Sequence, residues 1–176
     1  MVFTIFACAG CTDNNAESAL EIDPSVAWRG EMLEIDTGVQ FEPTPRMRDA
    51  LESGVDLQLQ VITRVSRNLG PVALKEIERA YPITIRFLPM TEQWQMEIDN
   101  RQFNFPRIWL LLEALTQARG YATGLTRERA SDGAWQVQVR VRFNREALPS
   151  PMHLPSLISP QWRLAGKWHT WQLGDS

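Results

Sequence analysis

Nine consecutive residues, Trp135–Phe143, alternate between apolar and polar without a break. Trp135, Val137, Val139, Val141 and Phe143 fall on one side, and Gln136, Gln138, Arg140 and Arg142 on the other. A strand sends successive side chains to opposite faces, so this period predicts a strand with one dry face and one wet face. Such a strand belongs in a sheet that is covered on one side only. The preceding Ser131-Asp132-Gly133 supplies turn chemistry. The same period recurs along the chain. It appears in Leu33–Phe41 (Leu33, Ile35, Val39, Phe41), in Val55–Val61 (Val55, Leu57, Leu59, Val61) and in Ile77–Phe87 (Ile77, Tyr81, Ile83, Ile85, Phe87). Gln93–Asp99 follows with Trp94, Met96 and Ile98, after a hairpin connection at Pro89–Glu92. Ile62 and Val65 slip out of phase after Val61, which predicts a bulge, and Pro82 predicts a local edge or a second bulge because it lacks an N–H. The aromatic stretch Gln161–Leu173 reads as a final strand broken near Gly166.

Two segments change period. Residues 104–119 place Ile108, Leu111, Leu112 and Leu115 on one helical face, with Pro106 near the start and Gly120 just past the end. Residues 45–53 form a shorter pattern with Met47, Ala50 and Leu51 inward, closed by Gly54. The expected fold is therefore mainly β, of the α+β class. It comprises an antiparallel sheet or sandwich carrying one long helix at about 104–119 and one short helix at about 45–53. Strands and helices do not alternate regularly, which argues against a doubly wound nucleotide-binding fold.

The first eleven residues differ from the rest. Met1–Cys11 is a short apolar run ending in Ala9-Gly10-Cys11, and both cysteines of the chain, Cys8 and Cys11, lie within it. An apolar segment followed by small residues and a cysteine is the pattern of a lipoprotein signal segment, which makes Cys11 the candidate lipid-attachment residue. Cys8 departs from the pattern, standing where a large aliphatic residue is usual; the lack of a basic residue before the run and the shortness of the run both fit a signal segment whose beginning is truncated. An ordinary signal segment is the second reading. A Cys-x-x-Cys redox or zinc motif is the third, although no further cysteine or histidine cluster completes a four-ligand zinc set. Residues 12–26 are polar and acidic and read as a flexible tether, leaving 27–173 as one globular domain. These segments together point to an exported protein held on a bacterial membrane by lipid and facing the periplasm. Thr12 after the cysteine leans toward the outer membrane.

The net charge of −3 argues against bulk nucleic-acid binding, which requires a basic surface. His153 and His169 are the only histidines, and no nucleophile elbow, His-Glu-x-x-His, P-loop or glycine-rich dinucleotide fingerprint is present. No catalytic residue, metal or cofactor is therefore expected. Arg140 and Arg142 share a strand face that suits an acidic partner or anionic headgroups, and its plain alternative is a solvated surface. Trp162, Trp168 and Trp171 extend that candidate interaction face, because Trp and Arg dominate interface hot spots; core packing is their plain alternative. The function expected is a non-catalytic envelope domain acting as a protein-interaction or accessory module with an envelope protein as partner. Two alternatives stand beside it: a carrier of a lipid or other apolar ligand between sheet and helix, and a hydrolase with acids brought together only in space.

Five ordered blocks carry a family resemblance. They are Met47–Leu59, with its Ala50-Leu51…Gly54-Val55…Leu57 passage; Ala80–Ile85 around Tyr81; Phe103…Leu112–Leu115; Leu148–Pro151; and Gln161–Leu164 followed by Trp168–Trp171. In order and spacing they resemble an uncharacterised proteobacterial family, the domain of unknown function numbered 4390. The resemblance implies an exported envelope protein with a role in sensing or assembly, and it supplies no catalytic residues. Val65–Gly70 departs from the family at a position where many members carry a tryptophan-rich patch.

Overall fold

The alternating segments pair as the period requires. The computed structural model describes residues 20–69, 72–152, 162 and 164–173. Cys8, Cys11, His153 and most of the expected tether lie outside these residues. The main sheet has six antiparallel strands: β5 (Leu57–Leu69), β6 (Val72–Leu88), β7 (Gln93–Ile98), β8 (Arg101–Phe105), β10 (Trp135–Phe143) and β11 (His169–Leu173). They lie in the order β11-β10-β5-β6-β7-β8. Sequence neighbours β5 to β8 are joined by hairpins, while β10 returns to pair along nine residues of β5, from Trp135↔Arg67 to Phe143↔Leu59. A second sheet holds β2 (Ser25–Arg29), β3 (Met32–Asp36) and β9 (Tyr121–Thr126), and β1 (Leu20–Ile22) pairs with β4 (Val39–Phe41).

One face of the six-stranded sheet is the floor of the core. Leu57, Leu59, Val61 and Val65 of β5, Ile83 and Ile85 of β6, and the five apolar residues of β10 are all buried there. The second sheet contributes Leu33, Ile35, Tyr121 and Leu125 from above, and two helices fill the remaining space: α1 (Pro45–Glu52) and α2 (Ile108–Thr116). Each fully buried Leu or Ile contributes about 1.5–3 kcal/mol relative to exposure, so this shared interior holds the layers together. The start of α1 is set locally. Pro45 takes the first helical position, and the Thr44 hydroxyl accepts the Met47 N–H at 3.1 Å.

Several expectations need correction. The long helix at 104–119 is Ile108–Thr116 only. Asn104 and Phe105 instead complete β8, because Glu97↔Gln102, Gln95↔Asn104 and Trp94↔Phe105 pair across the hairpin before Pro106 ends the strand. The helix stops at Gln117, short of Gly120. Leu33–Phe41 is two strands in different sheets. The chain breaks at Gly38, whose φ of +51° disfavours a side chain and where an added Cβ would stand a tight 3.0 Å from the Asp23 carbonyl oxygen. The tether was expected to run to residue 26, but Leu20–Ile22 and Ser25–Arg29 are strands. Leu20 packs in the core and Ile22, Val26 and Trp28 pack against it, an alternation masked by the intervening acids. The bulge expected after Val61 lies between Val65 and Ser66. There Ile77 and Lys75 take consecutive partners and Glu76 is the extra residue.

Pro82 occupies an edge within an interior strand. It pairs with Gln60 on one flank, while β7 covers only Ile83–Leu88 on the other. β9 lies over the preceding part of β6: the Tyr81 hydroxyl donates to the Ala122 carbonyl, and the Arg79 guanidinium rests against Gly124. Gly124 has φ +85° in an irregular stretch of β9 whose backbone is satisfied from within. The buried Thr123 hydroxyl donates to the Leu33 carbonyl at 2.8 Å and accepts the Leu125 N–H at 3.1 Å.

Candidate interaction face

The opposite face of the six-stranded sheet is built by the same alternation that builds the core. When Val137, Val139 and Val141 point inward, Gln138, Arg140 and Arg142 must point outward, and the register brings Arg64, Ile62 and Gln60 of β5 beside them. Beyond them on β6 stand Glu78, Ala80 and Pro82. Trp168 lies one residue before the last β10–β11 pair, Val139↔His169, and so falls on this outer face next to Arg140.

Trp168 organises the arginines. The guanidinium carbons of Arg64 and Arg140 each lie 4.6 Å from the centre of its ring system. A cation over an indole face gains about 0.5–1 kcal/mol at exposed sites and more when partly dry. Arg64 also forms an ion pair with Glu78 at 2.9 Å. Arg142 is fixed differently: its Nε and one terminal nitrogen donate to the Gln60 Oε1 at 3.1 and 2.9 Å. Arg140 forms no hydrogen bond or ion pair with any described residue, and its buried Nε has no acceptor. Burial, followed by the like charges of Arg142 and Arg64, lowers its pKa from the ordinary value, while Glu78 offsets part of that. Among the described residues the result is three guanidiniums with one carboxylate beside them. Farther along the sheet the charge is balanced, since Arg86 meets Asp56 at 3.0 Å and Glu97 at 3.7 Å.

Ile62 shows how closely this layer covers the sheet. It is only 7% exposed, yet it points away from the core and belongs to none of the main interior packing.

The five residues read as one face therefore separate. Arg140, Arg142 and Trp168 stand together. Trp162 is buried in the core, with its ring 5.6 Å from that of Phe143. Trp171 pairs with Val137 and packs against the core from the sheet's inner side, together with His169 on the same side of β11. The phase of β11 decides this outcome: residues 169, 171 and 173 share one side and 168 and 170 the other, so tryptophans three apart cannot share a face. Arg64 and Gln60 were missed because they come from a strand 70 to 80 residues away, and only the β5–β10 register brings them here.

The other side of the molecule carries an open cleft of about 320 Å³, lined by Glu21, Gln40, Phe41, Glu42, Leu112, Glu113 and Thr116. Its three carboxylates make a poor mouth for a lipid, whose headgroup would meet like charge or find no cationic partner. Among the described residues, no group of three or more His, Cys, Asp or Glu stands in an arrangement that could hold a metal ion. No helix among them is long and apolar enough to cross a membrane.

Comparison with known proteins adds one match. The model of the family described as domain of unknown function (DUF4390) matches residues 20–172. No curated protein and no solved structure matches.

Proposed function

The chain belongs to the DUF4390 family, and from that premise we propose that it is a non-catalytic cell-envelope domain, anchored by lipid at Cys11, that engages a protein partner through the outer face of its six-stranded sheet. One observation carries this reading: the Trp168 ring has both the Arg64 and the Arg140 guanidiniums 4.6 Å from its centre, on a face with no second layer among the described elements. Trp and Arg dominate the energetics of protein interfaces, and side chains already held in place lose less freedom on binding. A solvated face needs charge, but it has no need of a tryptophan in contact with two cations. The acidic rim of the cleft beside α2 speaks against the alternative of an apolar-ligand carrier.

The test is a photo-crosslinking amino acid placed at Thr170, exposed on this face, and separately at Glu113, exposed on the opposite side. Expressed in the native host, the first variant is expected to give a discrete covalent adduct that the second does not. Equal labelling from both positions, or none from Thr170, overturns the reading. Intact mass of the mature chain tests the anchor independently. Lipid mass on a chain starting at Cys11, abolished by Cys11→Ala, is the expected result, and an unmodified chain retaining Met1 refutes it.

A further inference from the structure

Resting on that reading, we infer that the partner presents an extended acidic segment, with carboxylates at alternate positions that bridge Arg140 and Arg142. Among the described residues, Glu78 is the carboxylate beside Arg64, Arg140 and Arg142, and Arg64 already holds it. Arg140 forms no ion pair with a described carboxylate and feels Glu78 only from a distance, although the chain as a whole is acidic. The Arg140 guanidinium lies 4.6 Å from the centre of the Trp168 ring, and the terminal N–H groups of a guanidinium match a carboxylate in forked geometry. Arg142 has one edge occupied by Gln60 and keeps the other.

Spacing supplies the second argument. Arg140 and Arg142 are two residues apart on a strand, which separates them by about 6.6–6.8 Å along one face. An extended partner with acids at every second position repeats that spacing. Gln138 and Thr170, hydrogen-bonded to each other at 3.2 Å, continue the row with groups suited to a peptide backbone.

A protein is favoured over a membrane surface by what this face lacks. Peripheral membrane binding combines charge with apolar side chains that enter the lipid. The large apolar side chains exposed among the described residues are Leu74, Met90, Phe103 and Trp109, and none lies on this face. Phe103 pairs with Met96 and Leu74 with Arg67, positions on the core-facing side; Met90 is in a hairpin, and Trp109 is on α2.

The probe is a fluorescein-labelled peptide of alternating Glu and Thr, titrated with the full chain and followed by anisotropy at low salt. Its Gln-Thr counterpart is the control. Expected results are saturable binding of the acidic peptide only and at least a tenfold weakening in Arg140→Gln. Arg142→Gln should weaken binding similarly and guards against misfolding of the first variant. Arg86→Gln, whose cation is already balanced, should leave binding within twofold. Affinity should fall steeply between 50 and 200 mM salt, because exposed charges are screened over about 10 Å at 0.1 M. Equal binding by wild type and both outer-face variants overturns the inference. So does retention on phosphatidylglycerol vesicles, lost in Arg140→Gln, by a chain that ignores the peptide. Crosslinking from Thr170 without peptide binding would defeat this inference alone, whereas failure of both would defeat the interface itself.

Discussion

The two faces of the six-stranded sheet come from the same strands and the same alternation, yet they are held by different physics. On the inner face Leu57, Leu59, Val61 and Val65 meet a second layer and are fully buried in the shared core. On the outer face no second layer is described, and long side chains lie over the sheet themselves: Arg64 and Arg140 against Trp168, Arg142 against Gln60. The inner face is specified by volume, which any well-shaped apolar residue can supply. The outer face is specified by planar groups and charge, where Lys does not replace Arg and no aliphatic residue replaces Trp. Stability is concentrated on one side and recognition chemistry on the other.

This contrast can be broken most severely at Leu59. Leu59→Ala is expected to cost about 3 kcal/mol in denaturant unfolding, since the site is fully enclosed and a cavity remains. Ile62→Ala tests the opposite face at nearly the same place in the chain. It should cost about 2 kcal/mol if the arginine and Trp168 layer forms a dry cover. A loss below about 0.5 kcal/mol would instead mean that water reaches Ile62, as expected of a surface site.

Thr63→Val sharpens the inner face in the opposite direction. The Thr63 hydroxyl is buried among the apolar residues of β5 and makes no hydrogen bond, so an isosteric methyl should stabilise the fold by about 1 kcal/mol, seen as a higher melting temperature. The fourth test compares Arg140, which has no carboxylate, with Arg29, which has two. Arg29 donates to Glu34 at 2.9 Å and to Asp36 at 2.9 and 2.6 Å. The Arg29 bond, and a weaker one from the Gly120 N–H, hold the Asp36 carboxyl below its usual pKa. A carboxylate whose pKa falls on folding stabilises fully above the unfolded value of about 3.9 and loses that contribution as pH falls through the lowered folded value. Asp36→Asn should remove about 1 kcal/mol at neutral pH and flatten stability below pH 4. Unchanged acid unfolding would show that the pair is solvent-screened.

Most of the main sheet was legible because its strands are long and one-sided. Trp135–Phe143 has the limits the alternation predicts, and Gln93–Ile98 differs by one residue. Short elements were harder to read. β1 is only three residues long, β2 has Ala27 between Val26 and Trp28, and β8 is exposed along nearly its whole length, so none of them offers a clean alternation. Residues 104–105 have no helical or strand signature of their own and take the hairpin register of β7. Half of the candidate site was legible. Arg140 and Arg142 follow from periodicity alone, but the tryptophans were grouped by composition, and β11 divides them by phase. Arg64 and Gln60 depend on a pairing between distant segments, which no local pattern encodes.

The open flank of β6 bears on how this chain behaves in crowded solution. A strand with exposed N–H and carbonyl groups is a template on which a neighbouring molecule can add its own strand, the first step of ordered aggregation. Here Pro82 removes one donor where the flank begins, Tyr81 is committed to the Ala122 carbonyl, and Arg79 lies across Gly124 with its charge toward any newcomer. A side chain at residue 124 would push that arginine aside. Through this glycine, a local need of the small sheet also limits strand-to-strand self-association of the large one.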